Sequence, residues 1–359
     1  MKIISIVGAR PQFIKAAPVS KCLRRSGHNE FLVHTGQHYD NFMSDIFFKD
    51  LNIPKPDINL NIGSSSHGRQ TAGMIINIEE ILISEKPDIV LIYGDTNSTL
   101  AGALASVKLN IPIAHVEAGL RSFNKQMPEE HNRIVADHLS SLLFCPSQTA
   151  IKNLLNEGIN SGVHFTGDVM YDALLQHIEI SEKKSDIMNR LSLKKKEYIL
   201  ATVHRAENTD NKKRLAAIFN ALEKIAHDLY PVLLPLHPRT KKMLQHYQFS
   251  LSKITVIDPL SYLDMLLLEK ESRVILTDSG GIQKEAYWLR TPCITLRDET
   301  EWVETIESGW NVLTGSDPKK IVESVQNIAK GLECSYEYGD AKSSEKIVKI
   351  VEKHYKKSI

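Results

Sequence analysis

Ser272-Arg273-Val274-Ile275-Leu276-Thr277-Asp278-Ser279-Gly280-Gly281-Ile282-Gln283-Lys284-Glu285-Ala286 reads as a strand, a tight glycine-bearing turn and a helix start. Ser279, Gly280 and Gly281 can bring backbone N–H groups up to an anion at the helix N-terminus, where unpaired donors and the helix dipole both favour phosphate. Glu285 lies about one turn into the helix, placed to accept from ribose hydroxyls. Taken alone, this is also an ordinary βα connection, so its meaning depends on the rest of the chain.

Outward from this stretch, short β-branched runs alternate with longer amphipathic ones, the pattern of a parallel sheet covered on both faces by helices. Ile3 to Val7, Phe31 to Val33, Ile89 to Tyr93, Ile113 to Val116 and Leu142 to Phe144 read as strands of a first domain. Helices fit around Thr71 to Glu85, Ser98 to Leu109 and Ser147 to Glu157. A charge-rich stretch from Glu179 to Lys196 reads as a helix plus connector. The alternation restarts with strands at Tyr198 to Val203, Val232 to Leu236, Ile254 to Ile257, Val274 to Thr277 and Cys293 to Leu296. The expectation is an α/β protein of two Rossmann-like, doubly wound parallel-sheet domains, residues 1–175 and 176–342. The basic stretch from Ser343 to Lys357 carries Ile347, Val348, Ile350 and Val351 at mostly helical spacing, so a surface helix of about 343–359 is expected to pack back on the first domain.

The 359 residues suffice for two domains with separate cores. Lys and Arg number 44 against 43 Asp and Glu, a net charge of +1, so no long-range field draws in nucleic acid or an anionic membrane. No apolar run approaches a membrane span, and the N-terminal apolar stretch is too short for a signal peptide. Cys22, Cys145, Cys293 and Cys334 lack CxxC spacing, which fits a reduced compartment; a cytoplasmic protein is expected.

Ligands of open α/β sheets sit outside the carboxyl ends of the strands, and polar residues concentrate there. Gly8-Ala9-Arg10-Pro11-Gln12-Phe13-Ile14-Lys15 follows the first strand, with Arg10 and Lys15 able to neutralise a diphosphate. Gly94-Asp95-Thr96-Asn97-Ser98 follows Ile89 to Tyr93, with Asn97 and Ser98 also suited to capping. Glu117-Ala118-Gly119-Leu120-Arg121 follows Ile113 to Val116, and Pro128-Glu129-Glu130-His131-Asn132-Arg133 opens a helix. Glu129 and Glu130 also suit a first turn on dipole grounds. His204-Arg205 and His237-Pro238-Arg239 follow strands of the second domain, where a lone histidine is often structural. No GxGxxG follows the first strand, no GxxxxGK[ST] or GxSxG occurs, and no histidines show metal-ligand spacing. Acid/base groups without a metal or cofactor are therefore expected.

In chain order, Gly8-Ala9-Arg10-Pro11, Gly94-Asp95-Thr96, His115-Val116-Glu117-Ala118-Gly119-Leu120-Arg121, Pro128-Glu129-Glu130, His204-Arg205, Asp278-Ser279-Gly280-Gly281 and Arg297-Asp298 resemble the non-hydrolysing UDP-N-acetylglucosamine 2-epimerase family over roughly Met1 to Gly315. The resemblance implies GT-B architecture with an interdomain cleft and a UDP-sugar ligand. It implies UDP on the second domain, with Ser279, Gly280, Gly281 and Glu285 on phosphate and ribose, His237 nearby and Arg10 over the diphosphate. It also implies that Asp95, Glu117, Glu129 and His204 surround the sugar, with Lys15, Arg121 and Arg133 among the substrate-binding groups, and it suggests a homodimer.

Carbon 2 of an N-acetylhexosamine has no adjacent carbonyl, so its proton is not acidic. An epimerase must oxidise C3 with a nicotinamide or eliminate the anomeric group, and the missing dinucleotide fingerprint favours elimination. UDP leaves C1 as a base takes the C2 proton, and re-addition to the 2-acetamidoglucal gives the manno epimer. Spacing does not assign base and acid among the carboxylates. Three departures from the typical pattern stand out: Gln12 for Glu after Arg-Pro, Ala206 for the second Arg after His204, and Trp302 for a cation after Thr300-Glu301. The variants Arg10-Pro11-Gln12-Phe13-Ile14-Lys15, Ser122-Phe123-Asn124 and His204-Arg205-Ala206-Glu207-Asn208 look closer to the branch acting on UDP-2,3-diacetamido-2,3-dideoxy-glucuronate, which serves surface polysaccharide. Lys125, Arg121 and Arg239 are candidates for its C6 carboxylate. A GT-B glycosyltransferase, a hydrolysing epimerase and a non-enzymatic UDP-sugar-binding regulator are the competing readings.

Overall fold

The structure is a computed structural model and describes residues 1–37, 54–328 and 336–358. The chain divides into two compact units, Met1–Leu175 with Tyr336–Ile359, and Gln176–Ser335.

The first unit holds β1 (Lys2–Val7), β2 (Asn29–His34), β3 (Ile58–Asn59), β4 (Ile89–Tyr93), β5 (Ile113–Val116), β6 (Leu142–Cys145) and β7 (Val163–Phe165). They form one sheet in the order β3-β2-β1-β4-β5-β6-β7, parallel at every pairing described. Its central strands are buried along their length because helices cover both faces, which is why they read as continuous apolar runs. On one face Ile4, Ile6, Val90 and Ile92 pack with Met74, Ile78 and Leu82 of the helix His67–Glu85 and with alanines of the helix Asn97–Lys108. That last helix lies close because Gly102 fits there: a Cβ would stand 2.9 Å from Ile6 Cδ1. The C-terminal helix Ser343–Ser358 packs on the helix Arg10–Arg25, and Asp172 accepts from the backbone N–H groups of Ser343 and Ser344 at its start.

The second unit holds β8 (Ile199–Thr202), β9 (Val232–Pro235), β10 (Thr255–Ile257), β11 (Val274–Thr277), β12 (Cys293–Thr295) and β13 (Asn311–Leu313), parallel in the order β10-β9-β8-β11-β12-β13. Side chains alternate between two cores. Ile199 and Ala201 join Leu215, Ile218, Phe219 and Leu222 on one face, while Leu200 and Ile275 join Leu268 and Ala286 on the other.

All strands read from the sequence are present. β3, β7 and β13 are additional; each has two or three residues at a sheet edge, too short for a periodic signal. The expected helix and connector at Glu179 to Lys196 is the end of a helix Val169–Lys184 followed by a single turn, Ile187–Arg190. Cys22, Cys145 and Cys293 are free thiols, and Cys334 lies outside the described residues. Among the described residues no helix is long and apolar enough to cross a membrane.

In each sheet the strand order reverses once beside the first strand of the unit, between β1 and β4 and between β8 and β11. Ligands of doubly wound sheets bind at such reversals. The segments leaving β1, β4, β8 and β11 are the polar ones singled out above.

Candidate active site

In the first unit, the turn after β1 is built around Gln12, which is 2% exposed. Its Oε1 accepts from the N–H groups of Gly8 (2.7 Å) and Ala9 (3.1 Å), and its Nε2 donates to the Tyr93 carbonyl (2.6 Å) and Thr99 Oγ1 (3.1 Å). An amide does this where a carboxylate would set an oxygen against the Tyr93 carbonyl, which accounts for glutamine at this position. Gln12 thereby ties the turn after β1 to the end of β4. Gly8 is equally determined: a Cβ would lie 1.9 Å from Ser98 Oγ and 2.2 Å from Thr35 Oγ1. Gly8→Ala is expected to lower stability by about 1–3 kcal/mol, the cost of overpacking. A denaturation midpoint equal to that of the parent chain would show that the turn yields.

Glu117 follows β5 in the left-handed region, φ 73°, an uncommon conformation for glutamate and one that gathers at functional sites. Its carboxylate is buried and accepts from Lys15 Nζ at 2.7 Å. Gly94 lies beside this pair, its would-be Cβ 3.3 Å from Lys15 Nζ and 3.8 Å from Glu117 Oε1. Asp95 comes next, half-buried, its Oδ2 accepting from Arg133 Nε (3.0 Å) and Nη2 (2.7 Å). Asn132 Nδ2 donates to the Asp95 carbonyl at 2.9 Å, so the helix Pro128–Leu139 fixes both backbone and side chain of Asp95.

Glu129 and Glu130, indistinguishable by sequence, separate here. Glu130 is 2% exposed and accepts from the N–H groups of Ser122 (2.9 Å) and Phe123 (2.8 Å) and from Arg133 Nη1 (2.7 Å), holding a turn in which Phe123 has φ 59°. The Glu129 carboxylate is half-buried and makes no hydrogen bond or ion pair among the described residues. Glu130 is spent on the fold, and Glu129 is available for chemistry.

Arg121, expected among the substrate-binding groups, is heavily engaged with protein groups. It is 4% exposed, donates to Asp137 Oδ2 (2.7 Å) and the Leu120 carbonyl (2.7 Å), and spans Glu157 with Nε (2.6 Å) and Nη2 (2.7 Å). Protein groups thus take four of its five N–H donors. Asp137 also faces His115 Nδ1 (2.7 Å) and accepts from the Gly119 N–H (3.1 Å). Burial alone would raise the Asp137 carboxyl; the bond and charge of His115 and the Arg121 guanidinium outweigh it and hold the group below its ordinary value. His115 Nε2 lies 2.7 Å from the Gly94 carbonyl, so this buried network also braces the turn after β4.

In the second unit, Asp278 at the end of β11 is wholly buried and accepts from the N–H groups of His204 (3.0 Å) and Arg205 (3.0 Å) and from Asn208 Nδ2 (3.1 Å). It stitches the segment after β8 to the end of β11. The His204 ring is about one-third exposed, with Nδ1 3.5 Å from Asp278 Oδ1 and its centroid 5.3 Å from that of His237. His237 caps the helix Pro238–His246, its Nδ1 accepting from the Arg239 N–H at 3.1 Å. Ser279 precedes the helix Gly280–Trp288, whose first turn has no side-chain cap. Glu285 is buried and accepts from the Tyr262 hydroxyl at 2.9 Å, with Tyr262 edge-on to His177.

Arg10 opens the helix Arg10–Arg25 and is half-buried. Lys125 is exposed, and Arg239 is engaged with Thr209 and Asp210. Sequence reasoning passed over Tyr262; only its long-range partner Glu285 marks it.

Two parallel doubly wound sheets, each with a cluster of polar and charged residues at its order reversal, define an α/β nucleotide-sugar enzyme of the GT-B class. The model of the UDP-N-acetylglucosamine 2-epimerase family matches residues 20–352, and the chain belongs to that family. A UDP-N-acetylglucosamine 2-epimerase homolog of Methanococcus maripaludis is 55% identical over 358 residues, covering 98% of this chain and 99% of the relative. The UDP-2,3-diacetamido-2,3-dideoxy-D-glucuronate 2-epimerase of Pseudomonas aeruginosa is 48% identical, covering 98% of this chain and all of the relative. The crystal structure of the Methanocaldococcus jannaschii UDP-GlcNAc 2-epimerase in complex with UDP-GlcNAc and UDP matches with a TM-score of 0.93 and 45% identity, over 98% of this chain and 100% of that one.

Proposed function

We propose that the chain interconverts UDP-GlcNAc and UDP-ManNAc by anti elimination and re-addition of UDP. The likeness to a relative solved with UDP-GlcNAc and UDP carries this reading. The unit Gln176–Ser335 is assigned the UDP, with the Gly280 and Gly281 amides and Ser279 on phosphate, Glu285 on ribose and His237 nearby. The other unit is assigned the proton transfers. A carboxylate among Asp95, Glu117 and Glu129 takes the C2 proton, the C1–O bond breaks, and UDP leaves with the bonding pair. A second acid/base group then delivers a proton to the opposite face of C2 as the UDP oxygen re-forms its bond to C1. The Gly280 and Gly281 amides stabilise the departing diphosphate. Arg133 acts by holding Asp95 rather than by touching substrate.

The diacetamido-glucuronate is the second reading, favoured by the full-length likeness to the Pseudomonas enzyme. Both readings fit a homodimeric enzyme of the cytoplasm that supplies surface-polysaccharide precursors. Proton NMR of the protein with UDP-GlcNAc in deuterated water, without added metal or nucleotide, tests them. The expected result is UDP-GlcNAc and UDP-ManNAc both deuterated at C2. UDP with free ManNAc would indicate hydrolysis instead, and absence of exchange would move the assignment to the diacetamido-glucuronate, tried next under the same conditions.

A further inference from the structure

The turns after β4 and β5 carry Asp95 and Glu117, and each contains a glycine in the left-handed region. Gly94 stands directly before Asp95 with φ 62°, and Gly119 stands two residues after Glu117 with φ 83°. Glycine takes left- and right-handed backbone about equally, so neither turn holds its direction by itself. The hydrogen bonds of the Gly94 carbonyl and the Gly119 N–H hold them instead.

Both bonds lead to one side chain. The Gly94 carbonyl faces His115 Nε2 at 2.7 Å, and His115 Nδ1 faces Asp137 Oδ1 at 2.7 Å. The Gly119 N–H donates to Asp137 Oδ2 at 3.1 Å. His115 and Asp137 are both buried, so the bonds lie away from solvent. Nε2 faces a carbonyl and therefore carries a proton, which makes the ring a spacer between Asp137 and the turn after β4. Asp137 belongs to the helix Pro128–Leu139, from which Asn132 and Arg133 also hold Asp95. Arg121 Nη1 donates to the same Asp137 oxygen as Gly119, and Glu157 meets that guanidinium at Nε and Nη2, one bond further out.

We propose that Asp137 is a positioning residue that sets the directions of Asp95 and Glu117 together, through His115 and the Gly94 carbonyl for one and the Gly119 N–H for the other. The inference rests on assigning the proton transfers to these carboxylates. Displacement of such a group by about 1 Å costs about a hundredfold in rate, so the effect belongs in kcat. The test is steady-state C2 proton exchange per folded molecule, with calorimetry for UDP. Asp137→Ala is expected to lower kcat by about 10- to 100-fold, with KM and UDP affinity within about twofold of the parent. Asp137→Asn should recover most of the loss: its Nδ2 can donate to His115 Nδ1 while its oxygen accepts from Gly119 and Arg121, so the geometry survives the lost charge. His115→Phe keeps a flat ring and gives up both bonds. It should lower kcat as Asp137→Ala does, and it carries the test should the alanine variant not fold. Glu157→Gln should leave kcat within about twofold of the parent even where it lowers the melting temperature. Unchanged kcat in His115→Phe and Asp137→Ala, or an Asp137→Asn variant as slow as the alanine one, overturns the inference, while turnover by the parent chain keeps the functional reading intact. A parent chain that exchanges the C2 proton of neither UDP-GlcNAc nor the diacetamido-glucuronate overturns that reading and this one with it.

Discussion

Asp95→Asn, Glu117→Gln and Glu129→Gln are each expected to lower turnover by about a hundredfold or more, the scale of a lost acid/base group, with UDP affinity nearly unchanged. The three variants differ in what else they disturb. Asp95→Asn removes the carboxylate that Arg133, only 4% exposed, clasps with two nitrogens, and leaves it the Glu130 carboxylate at 2.7 Å. Glu117→Gln likewise strips Lys15 of its partner at 2.7 Å. Both variants should lose stability as well as turnover. Glu129 makes no hydrogen bond or ion pair among the described residues, so Glu129→Gln tests the chemistry without disturbing the fold. C2 proton exchange measures turnover and calorimetry measures UDP affinity. Unchanged turnover in all three variants would remove these carboxylates from the reaction, and loss of UDP affinity in step with turnover would make them binding residues.

These contrasts show where sequence reading stops. Strands such as Ile89 to Tyr93 and Val274 to Thr277 are legible because their burial on both faces demands unbroken apolar runs. The residues after them are legible as candidates because strand ends are where doubly wound sheets bind ligands. What local pattern does not hold is which strand ends are neighbours. That β1 lies beside β4, and β8 beside β11, is set by pairing across 86 and 75 positions (Ile3 with Ile89, Val274 with Ile199), a long-range choice. Orientation is equally hidden. Glu129 and Glu130 are adjacent in a first helical turn and about 100° apart around its axis, so one closes the Ser122–Phe123 turn and the other does not. Arg121 and Arg133 look alike as cations near strand ends, yet one is spent on Asp137 and Glu157 and the other on Asp95.

Asp278→Ala is expected to be the most damaging single change in the second unit. Its carboxylate has no exposed surface and gathers the His204 and Arg205 N–H groups and the Asn208 amide, with His204 Nδ1 at 3.5 Å. Alanine leaves these donors without that acceptor and opens a space that only a polar group fills well. At about 1–3 kcal/mol for each buried donor left unsatisfied, partly relieved by entry of water, the loss should be about 3–5 kcal/mol. Asp278→Asn keeps the volume but turns an NH2 group toward N–H donors, so it should recover only part of the loss. The damage should reach function through position rather than charge, because the same carboxylate sets His204 and Arg205 beside the end of β11. UDP affinity and turnover are therefore expected to fall together, unlike the Glu129→Gln result. Chemical denaturation followed by tryptophan fluorescence reads the second unit selectively, since Trp288, Trp302 and Trp310 all lie within it. A midpoint unchanged by Asp278→Ala would mean that the segment after β8 is held by its helix Ala206–Thr209 alone, and that the strand-end carboxylate is free for a ligand.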